Sequence, residues 1–287
     1  GDAPGKTALS HRLVHIKRPL LRVPTLAIHL ESADERAAFK VGKEAHLLPI
    51  LASAVKEQLG GGAPADEEDG GGFMTGSHHP ALLTALAGEL GCKEADIMEF
   101  DLSLTDTQPT CKMGLSSEFV SGPRFDNLVS VFCGLKAITD PESQSSEGED
   151  ENIRLFVAFD NEEVGSQTSQ GADSELMEEA MRRVVDNLAA AESNAPVDAF
   201  HTTMRRSFML SSDMAHAVHP NYASKHQKDH QCTVHAGPVI KINANQRYAT
   251  DGVGLSIMRT IAAKAGVPLQ DFVVPNDSPC GSTIGPI

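Results

Sequence analysis

Residues 153–166 read IRLFVAFDNEEVGS, and this apolar run followed by an acidic loop decides the predicted fold. A near-continuous run of apolar residues is typical of a strand that is buried on both faces of a sheet. After the loop, apolar residues recur at helical spacing over 176–188, and Asp173 or Ser174 is placed to cap that helix. The stretch therefore predicts a strand, a polar loop and a helix in succession.

The alternation of strands, loops and helices continues after this helix. The pattern predicts short strands over 207–210 and 238–243 and a second helix over 252–266, which ends on a glycine C-cap. Alternating strands and helices are typical of an α/β layer with a mainly parallel sheet. In such sheets the functional groups gather where loops leave the carboxyl ends of the strands. The predicted fold class is thus α/β, with its chemistry in the loops that follow the strands.

The first part of the sequence has a different organisation. Residues 13–30, LVHIKRPLLRVPTLAIHL, are rich in β-branched residues, and two prolines confine such strands to edges or bends. Apolar spacing predicts helices over 46–59 and 79–90 and a strand over 97–104. This part therefore reads as a β-rich start followed by helices.

Charge and composition exclude several classes of function. Among the 287 residues, 39 are Asp or Glu and 24 are Lys or Arg, so the formal net charge is -15. This charge repels phosphate backbones and anionic membranes, and no basic patch offsets it, so we expect no nucleic-acid and no membrane partner. No stretch reaches the roughly 18 uninterrupted apolar residues of a membrane span. The five cysteines lack close pairs, which favours a reducing, cytoplasmic compartment.

Three acidic segments carry the candidate chemistry. Glu162 and Glu163 directly follow the first predicted strand, Asp213 follows the second, and Asp126 precedes an apolar helical run. Two metal ions about 3.5 to 4 Å apart need oxygen ligands and a carboxylate that bridges them. In an adjacent pair, one glutamate can bind metal while the other takes a proton from a metal-bound water. Spacing alone leaves solvated surface acids as the other open interpretation.

Seven motifs occur in a fixed order along the chain: PLLRVPTLAIHL, DTQP, PRFDNL, FDNEEVGS, SSDMAHAVHPNY, GPVIKIN with NQRYAT, and NDSPCGSTIGP. With these motifs the sequence closely resembles the aspartyl aminopeptidase family of dinuclear zinc exopeptidases, nearly from end to end. The resemblance implies a three-layer α/β/α metallopeptidase domain over 97–287, which we expect to be incomplete at both ends. It also implies a smaller β-rich dimerisation domain over 1–96.

The resemblance assigns roles to the acidic segments. It implies that Asp126 bridges two zinc ions, that Glu163 binds one of them and that Asp213 binds the other, with Glu162 as the general base. Members of the family also use a histidine from an N-terminal His-x-Asp segment and another from a C-terminal segment. Neither segment occurs in this sequence. We therefore expect a fragment or an incompletely recorded chain, with a pseudoenzyme that has lost its site as the alternative.

Four further residues are expected to bind substrate. Alternation places Lys241 on an otherwise apolar strand, where a cation needs an anionic partner, either a substrate carboxylate or an acid of the protein. The resemblance favours the substrate carboxylate, with Tyr248 assisting. His216, three residues after Asp213, would bond to the substrate or to its developing oxyanion. The resemblance also implies that His29 reaches the active site of a neighbouring subunit.

Together these expectations describe an aminopeptidase that removes N-terminal Asp or Glu from peptides with metal-activated water. The resemblance further implies a homo-oligomer, in which dimers build a larger, dodecameric assembly, in the cytoplasm or alternatively in the vacuole. Two other functions remain open. One is a related aminopeptidase that prefers apolar N-terminal residues, and the other is a noncatalytic assembly subunit with an incomplete metal site.

Overall fold

The computed structural model describes residues 9–53, 73–74, 76–144, 152–279 and 281. These residues belong to two compact units, which are divided between Pro123 and Arg124. The helix predicted over 46–59 is wrong for residues 47–53, which are not helical, and residues 54–59 lie outside the described residues. The predicted domain boundary between residues 96 and 97 stays a prediction. Among the described helices, none is both long enough and apolar enough to cross a membrane.

Short helices and one hairpin make up the described part of the first unit. Its elements are the 3-10 turns Ile28–Leu30 and Glu94–Asp96, helices α1 (Ala33–Ala37), α2 (Lys43–His46) and α3 (Pro80–Leu90), and the antiparallel strands β1 (Cys111–Met113) and β2 (Phe119–Ser121). The helix predicted over 79–90 is confirmed as α3. The His79 ring accepts a hydrogen bond from the Ala81 N–H at its start, and Gly91 ends it at a φ of 64°. The core of this unit consists of Met74, Leu83, Leu86, Ala87 and Ile97.

Most of the strands predicted for the first unit do not form. Residues 13–30 make a single isolated bridge in the described structure, between Arg22 and Ile50, and residues 97–104 contain no strand. A strand requires backbone hydrogen bonds from a neighbour, whereas β-branched composition expresses only a preference for a pleated surface. The described part of this unit supplies no neighbour beyond that bridge, which explains the difference.

The second unit combines helices with a parallel strand pair. Its elements are α4 (Phe125–Thr139), α5 (Pro141–Gln144), the 3-10 turn Glu162–Val164, α6 (Leu176–Ala191), α7 (Ala199–Arg206), the 3-10 turn Pro220–Lys225, β3 (Val239–Ile242), α8 (Gly252–Ala265) and β4 (Gln270–Val273). Strands β3 and β4 are parallel and are connected through α8, as in a βαβ unit. This arrangement confirms the predicted α/β fold class.

The predicted helices over 176–188 and 252–266 are confirmed as α6 and α8. The Ser174 hydroxyl accepts a hydrogen bond from the Leu176 N–H at 3.3 Å, in agreement with a cap near that residue. The Asp251 carboxylate accepts one from the Gly254 N–H at 2.7 Å, and Gly266 ends α8 at a φ of 66°. Both helix starts are therefore stabilised by local side-chain bonds, and the glycine C-cap predicted for the second helix is confirmed.

The apolar run at 153–159 forms no strand in the described structure, and neither does 207–210. Instead, the first segment packs on α4. The ring of Phe156 lies so close to Gly134 that a Cβ atom at that position would overlap it. Leu155 remains half exposed, because no described segment pairs along this run. The acidic loop after it is thus attached to α4 by side-chain packing.

Candidate active site

Asp126 lies in the first turn of α4, where the chain turns sharply into the helix. Arg124, just before the helix, has a φ of 58° and a ψ of 30°. This left-handed conformation is uncommon for a residue with a long side chain. A carboxylate in the first helical turn is stabilised by the backbone N–H groups and the helix dipole. The turn therefore places the Asp126 carboxylate at the N-terminal end of α4.

Glu162 and Glu163 lie in a closed turn that has left-handed residues at both ends. Asn161 has a φ of 60°, and Gly165 and Ser166 have φ values of 109° and 64°. The backbone N–H groups of Gly165 and Ser166 donate to the carbonyls of Glu162 and Asn161 at 3.0 and 2.9 Å. Asparagine and glycine adopt this conformation at little cost. The sequence DNEEVGS therefore makes a compact turn that carries two adjacent carboxylates.

The three acidic segments converge on Asp126. Partial burial, a hydrogen bond with Asp213, and the negative charges of Asp213, Glu163 and Glu162 together raise the pKa of Asp126 above its ordinary value. The side-chain amide of Asn127 donates to Glu162 Oε2 at 3.4 Å and so connects the start of α4 to the acidic turn. Carboxylates this close repel one another unless a proton or a cation lies between them. The cluster is thus arranged to take up positive charge.

Lys241 connects this cluster to β3. Its Nζ atom lies 3.4 Å from Asp213 Oδ2, and both side chains are about three-quarters buried, with 26% and 23% exposed. The same Nζ atom lies 5.8 Å from the centre of the Tyr248 ring, which is within the range of a cation–π contact. The anionic partner of Lys241 in this structure is therefore an acid of the protein, one of the two partners that the sequence left open.

His216 forms a ring pair with His226. Its Nδ1 atom lies 3.1 Å from His226 Nε2, and the Phe272 ring packs edge-on against both imidazoles. Burial, with a smaller contribution from the charge of His216, lowers the pKa of His226. Sequence reasoning missed the contacts of His226 and Asn127. The position of Asn127 directly after Asp126 could have indicated its contact with the acidic turn. The histidine pair depends on tertiary packing, which sequence spacing does not reveal.

His29 lies in the other compact unit. It is exposed, within the 3-10 turn Ile28–Leu30. Its expected reach into the active site of a neighbouring subunit stays a prediction.

The carboxylate cluster provides oxygen ligands of the kind that bind a divalent metal ion. Asp126, Glu162, Glu163 and Asp213 supply hard donors whose mutual repulsion a cation would relieve. Within the described ranges, no three His, Cys, Asp or Glu side chains are already arranged as a metal-ligating group. Binding would therefore require these side chains to rotate toward a common point. These four residues supply the carboxylate ligands of such a site.

Comparison with known proteins identifies the family. Residues 3–287 match the family model described as Aminopeptidase I zinc metalloprotease (M18). The chain belongs to the M18 family. An aspartyl aminopeptidase of Aspergillus oryzae is 45% identical over 306 residues, which cover 99% of this chain and 61% of that relative. The family resemblance predicted from the seven motifs is confirmed, and so is its class, a zinc metalloprotease.

Solved structures share the M18 fold of this chain. A chain in the cryo-EM structure of the Ape4 and Nbr1 complex matches with a TM-score of 0.83 and 38% identity, over 94% of this chain and 50% of that one. A chain of the S. cerevisiae mApe1 dodecamer matches with a TM-score of 0.67 and 27% identity, over 93% and 52%. The present chain spans about three-fifths of the length of the curated relatives it matches.

Proposed function

We propose that this chain contributes the catalytic carboxylates of a zinc aminopeptidase that removes N-terminal Asp and Glu from peptides in the cytoplasm. The observation that carries the proposal is the convergence of Glu162, Glu163 and Asp213 on Asp126, with the consequent rise in the pKa of Asp126. Three acids that raise the pKa of a fourth are poor structural partners, but the four together are good cation ligands. The family to which the chain belongs is described as one of zinc metalloproteases.

In this proposal Asp126, Glu163 and Asp213 would hold two zinc ions, with Asp126 as the ligand shared by both, Glu163 as a ligand of one and Asp213 as a ligand of the other. When bound, zinc supplies a Lewis acid and lowers the pKa of a coordinated water. Glu162 accepts the proton of the attacking water and passes it to the leaving amine. The Asn127 amide bonds to Glu162 Oε2 at 3.4 Å, so it orients the carboxylate and leaves Oε1 to carry the proton. The residue that binds metal and the residue that moves the proton thus come from one turn.

Lys241 and Tyr248 form the pocket for the acidic side chain of the substrate. Lys241 is mostly buried and already holds a carboxylate, Asp213, at 3.4 Å. If Asp213 held zinc instead, the ammonium group of Lys241 would be available to a substrate carboxylate, with the Tyr248 ring beside it. A buried cation that pairs with a carboxylate discriminates strongly against apolar side chains, because an apolar group would leave the charge unpaired.

The remaining parts of the proposal concern assembly. We assign residues 1–96 to a dimerisation domain and residues 97–287 to the catalytic domain, with His29 completing the site of a neighbouring subunit. Dimers would then build a dodecamer, the assembly of one solved structure that this chain matches. A subunit that is kept monomeric should accordingly be inactive.

The test uses the intact protein, purified with zinc available, and chromogenic substrates that begin with Asp, Glu or Leu. We expect about two zinc ions per subunit, as in other dinuclear sites, and cleavage of the Asp and Glu substrates well above that of the Leu substrate. Metal analysis and initial rates measure both. Preference for Leu would favour the apolar-directed aminopeptidase, and absence of both zinc and cleavage would favour a noncatalytic subunit.

A further inference from the structure

The ring of His226 has contacts that fix its orientation. Its Nε2 atom lies 3.1 Å from His216 Nδ1, and the two ring centres are 5.0 Å apart at an interplanar angle of 76°. Phe272 of β4, which is buried, packs edge-on against His216 at 5.1 Å and against His226 at 5.7 Å. The two imidazoles and the phenyl ring form one packed group, the ring triad, on the parallel strand pair.

The backbone on both sides of His226 is also held. Its N–H donates to the Ala223 carbonyl at 3.1 Å, which ends the 3-10 turn Pro220–Lys225. The side chain of Gln231 donates to the same carbonyl at 3.2 Å. At the other end of the turn, the His219 ring accepts from the Asn221 N–H at 3.1 Å. The turn therefore presents His226 to His216 from a fixed position.

The proton positions of the pair follow from the hydrogen bonds. A bond between two imidazoles needs one N–H donor and one bare nitrogen. His226 Nδ1 is buried, and no hydrogen-bond partner for it occurs among the described residues. Orphaned buried N–H groups are rare in folded proteins, so this nitrogen is best left without a proton. His226 then carries its proton on Nε2 and donates it to His216 Nδ1.

The tautomer of His216 is thereby determined. A neutral His216 that accepts at Nδ1 must carry its own proton on Nε2, the nitrogen on the side of the ring away from His226. His216 is exposed and lies three residues after Asp213. Burial lowers the pKa of His226, which keeps this ring neutral and preserves the direction of the bond.

We infer that His226 is a positioning residue, which holds His216 in the tautomer whose Nε2–H donates a hydrogen bond to the oxyanion that develops on the substrate carbonyl. The inference rests on the proposed function and on the prediction from the sequence that His216 bonds to the substrate or to its developing oxyanion. An oxyanion is stabilised by a fixed donor and destabilised by a lone pair. The opposite tautomer of His216 would present a lone pair, so the bond from His226 selects the productive form.

The test compares four variants of the intact, zinc-loaded protein on a substrate with an N-terminal Asp: H216A, H226M, H226Q and the H216A/H226M double variant. Loss of an oxyanion donor costs about 100- to 1000-fold in kcat, so H216A should fall in that range. H226M removes the donor to His216, and we expect kcat to fall about 10- to 100-fold with little change in KM. H226Q keeps an N–H donor at the same distance along the side chain and should restore kcat to within about threefold of wild type.

The double variant separates positioning from mere packing. Because His226 acts through His216, H226M should add less than about a twofold loss when His216 is already alanine. His201→Gln, on the exposed side of α7, is the matched control and should leave kcat unchanged. Thermal melts accompany each variant, and His226→Leu replaces H226M if that protein does not fold.

Four outcomes would overturn the inference. H226M with the kcat of the His201 control means that His216 needs no partner, and the proposed function would stand. Equal losses in H226M and H226Q, or full additivity in the double variant, mean that His226 acts by packing alone, and again the proposed function would stand. A wild-type protein that does not cleave the Asp substrate removes both the inference and the function on which it rests.

Discussion

Asp126, in the first turn of α4, shares a hydrogen bond with Asp213, which lies in the loop before β3. Two carboxyl groups share such a bond only when one of them holds the proton, which is why this contact contributes to the raised pKa of Asp126. A cation at the position of this shared proton would bind one oxygen of Asp126 and one of Asp213. The Asp126–Asp213 pair therefore connects the pKa of Asp126 with the stability of the protein and with the binding of a metal ion.

The metal-free protein should lose stability as the pH rises through the pKa of Asp126. A carboxyl whose pKa is higher in the folded than in the unfolded state contributes its full stability below the unfolded value, and that contribution is lost as pH increases past the folded one. Asp126→Asn keeps a donor for Asp213 without the charge. In EDTA at neutral pH we expect it to melt above wild type, with the difference disappearing at acidic pH.

Thermal melts from about pH 3 to pH 8 measure this difference, because ordinary aspartate titrates near the lower end of that range. Asp186→Asn, on the exposed surface of α6, is the control, and its melting temperature should follow wild type throughout. The prediction would be contradicted if the difference in melting temperature between wild type and Asp126→Asn were the same at both ends of this pH range. Added zinc should reverse the order of the two proteins, since the variant loses a ligand.

Glu162→Gln should bind zinc and turn over poorly. The amide cannot accept the proton of the attacking water, and general acid–base catalysis by one side chain contributes about 100- to 10,000-fold. Glu163→Gln is the matched comparison in the same turn, and it should lose zinc instead, because it removes a proposed ligand. Metal analysis beside initial rates distinguishes the two. Full activity in Glu162→Gln would remove its role as the base.

Lys241→Met should change specificity more than activity. Methionine occupies similar space on β3 without the ammonium group that lies 3.4 Å from Asp213. We expect kcat/KM for Asp and Glu substrates to fall by about 10⁴-fold, as when a buried polar group in a binding site loses its partner. The rate on a Leu substrate should hardly change.

Lys264→Met, in the last turn of α8, is the control for removal of one positive charge and should leave both rates at the wild-type level. If Lys241→Met lowers cleavage of Asp and Leu substrates by the same factor, Lys241 does not determine specificity. In that case its ion pair with Asp213 serves only to hold the carboxylate.

The helices over 79–90, 176–188 and 252–266 were predictable from the sequence, whereas most strands were not, because helices and strands depend on different contacts. The start of α8 is stabilised by Asp251 and its end by Gly266, both adjacent to the helix. Strand β3 pairs with β4, whose residues 270–273 carry no prediction, through a ladder that joins distant segments. Local bonds are visible in a sequence, whereas the partner of a strand is not.

The candidate site shows the same division. The motifs place Glu162 and Asp213 in loops, and the structure brings both near Asp126, although the segments before these loops form no strand in the described structure. The contact of His226 with His216 depends on Phe272 of β4, so no spacing within the histidine-rich loop indicates it. Side-chain pairs that rest on tertiary packing were therefore the part that the sequence left undetermined.

Gly134→Ala should destabilise the second unit, although alanine is the better helix former. The Phe156 ring lies where the new methyl group would be, so the ring must move off α4. Overpacking typically costs about 1 to 3 kcal/mol, whereas replacing a helical glycine gains roughly 0.5 to 1 kcal/mol. We expect a net loss of about 1 kcal/mol in the free energy of unfolding, measured by urea denaturation.

Two further variants make the cause of that loss visible. Gly88→Ala, in the interior of α3, meets no atom within 4 Å, so it should show the gain in helix propensity alone. Phe156→Ala removes the obstructing ring, and in that background Gly134→Ala should stabilise, since only the propensity remains. If Gly134→Ala stabilises the protein while Phe156 is present, then the segment before the acidic turn is not packed on α4. The position of Glu162 and Glu163 relative to Asp126 would then need another support.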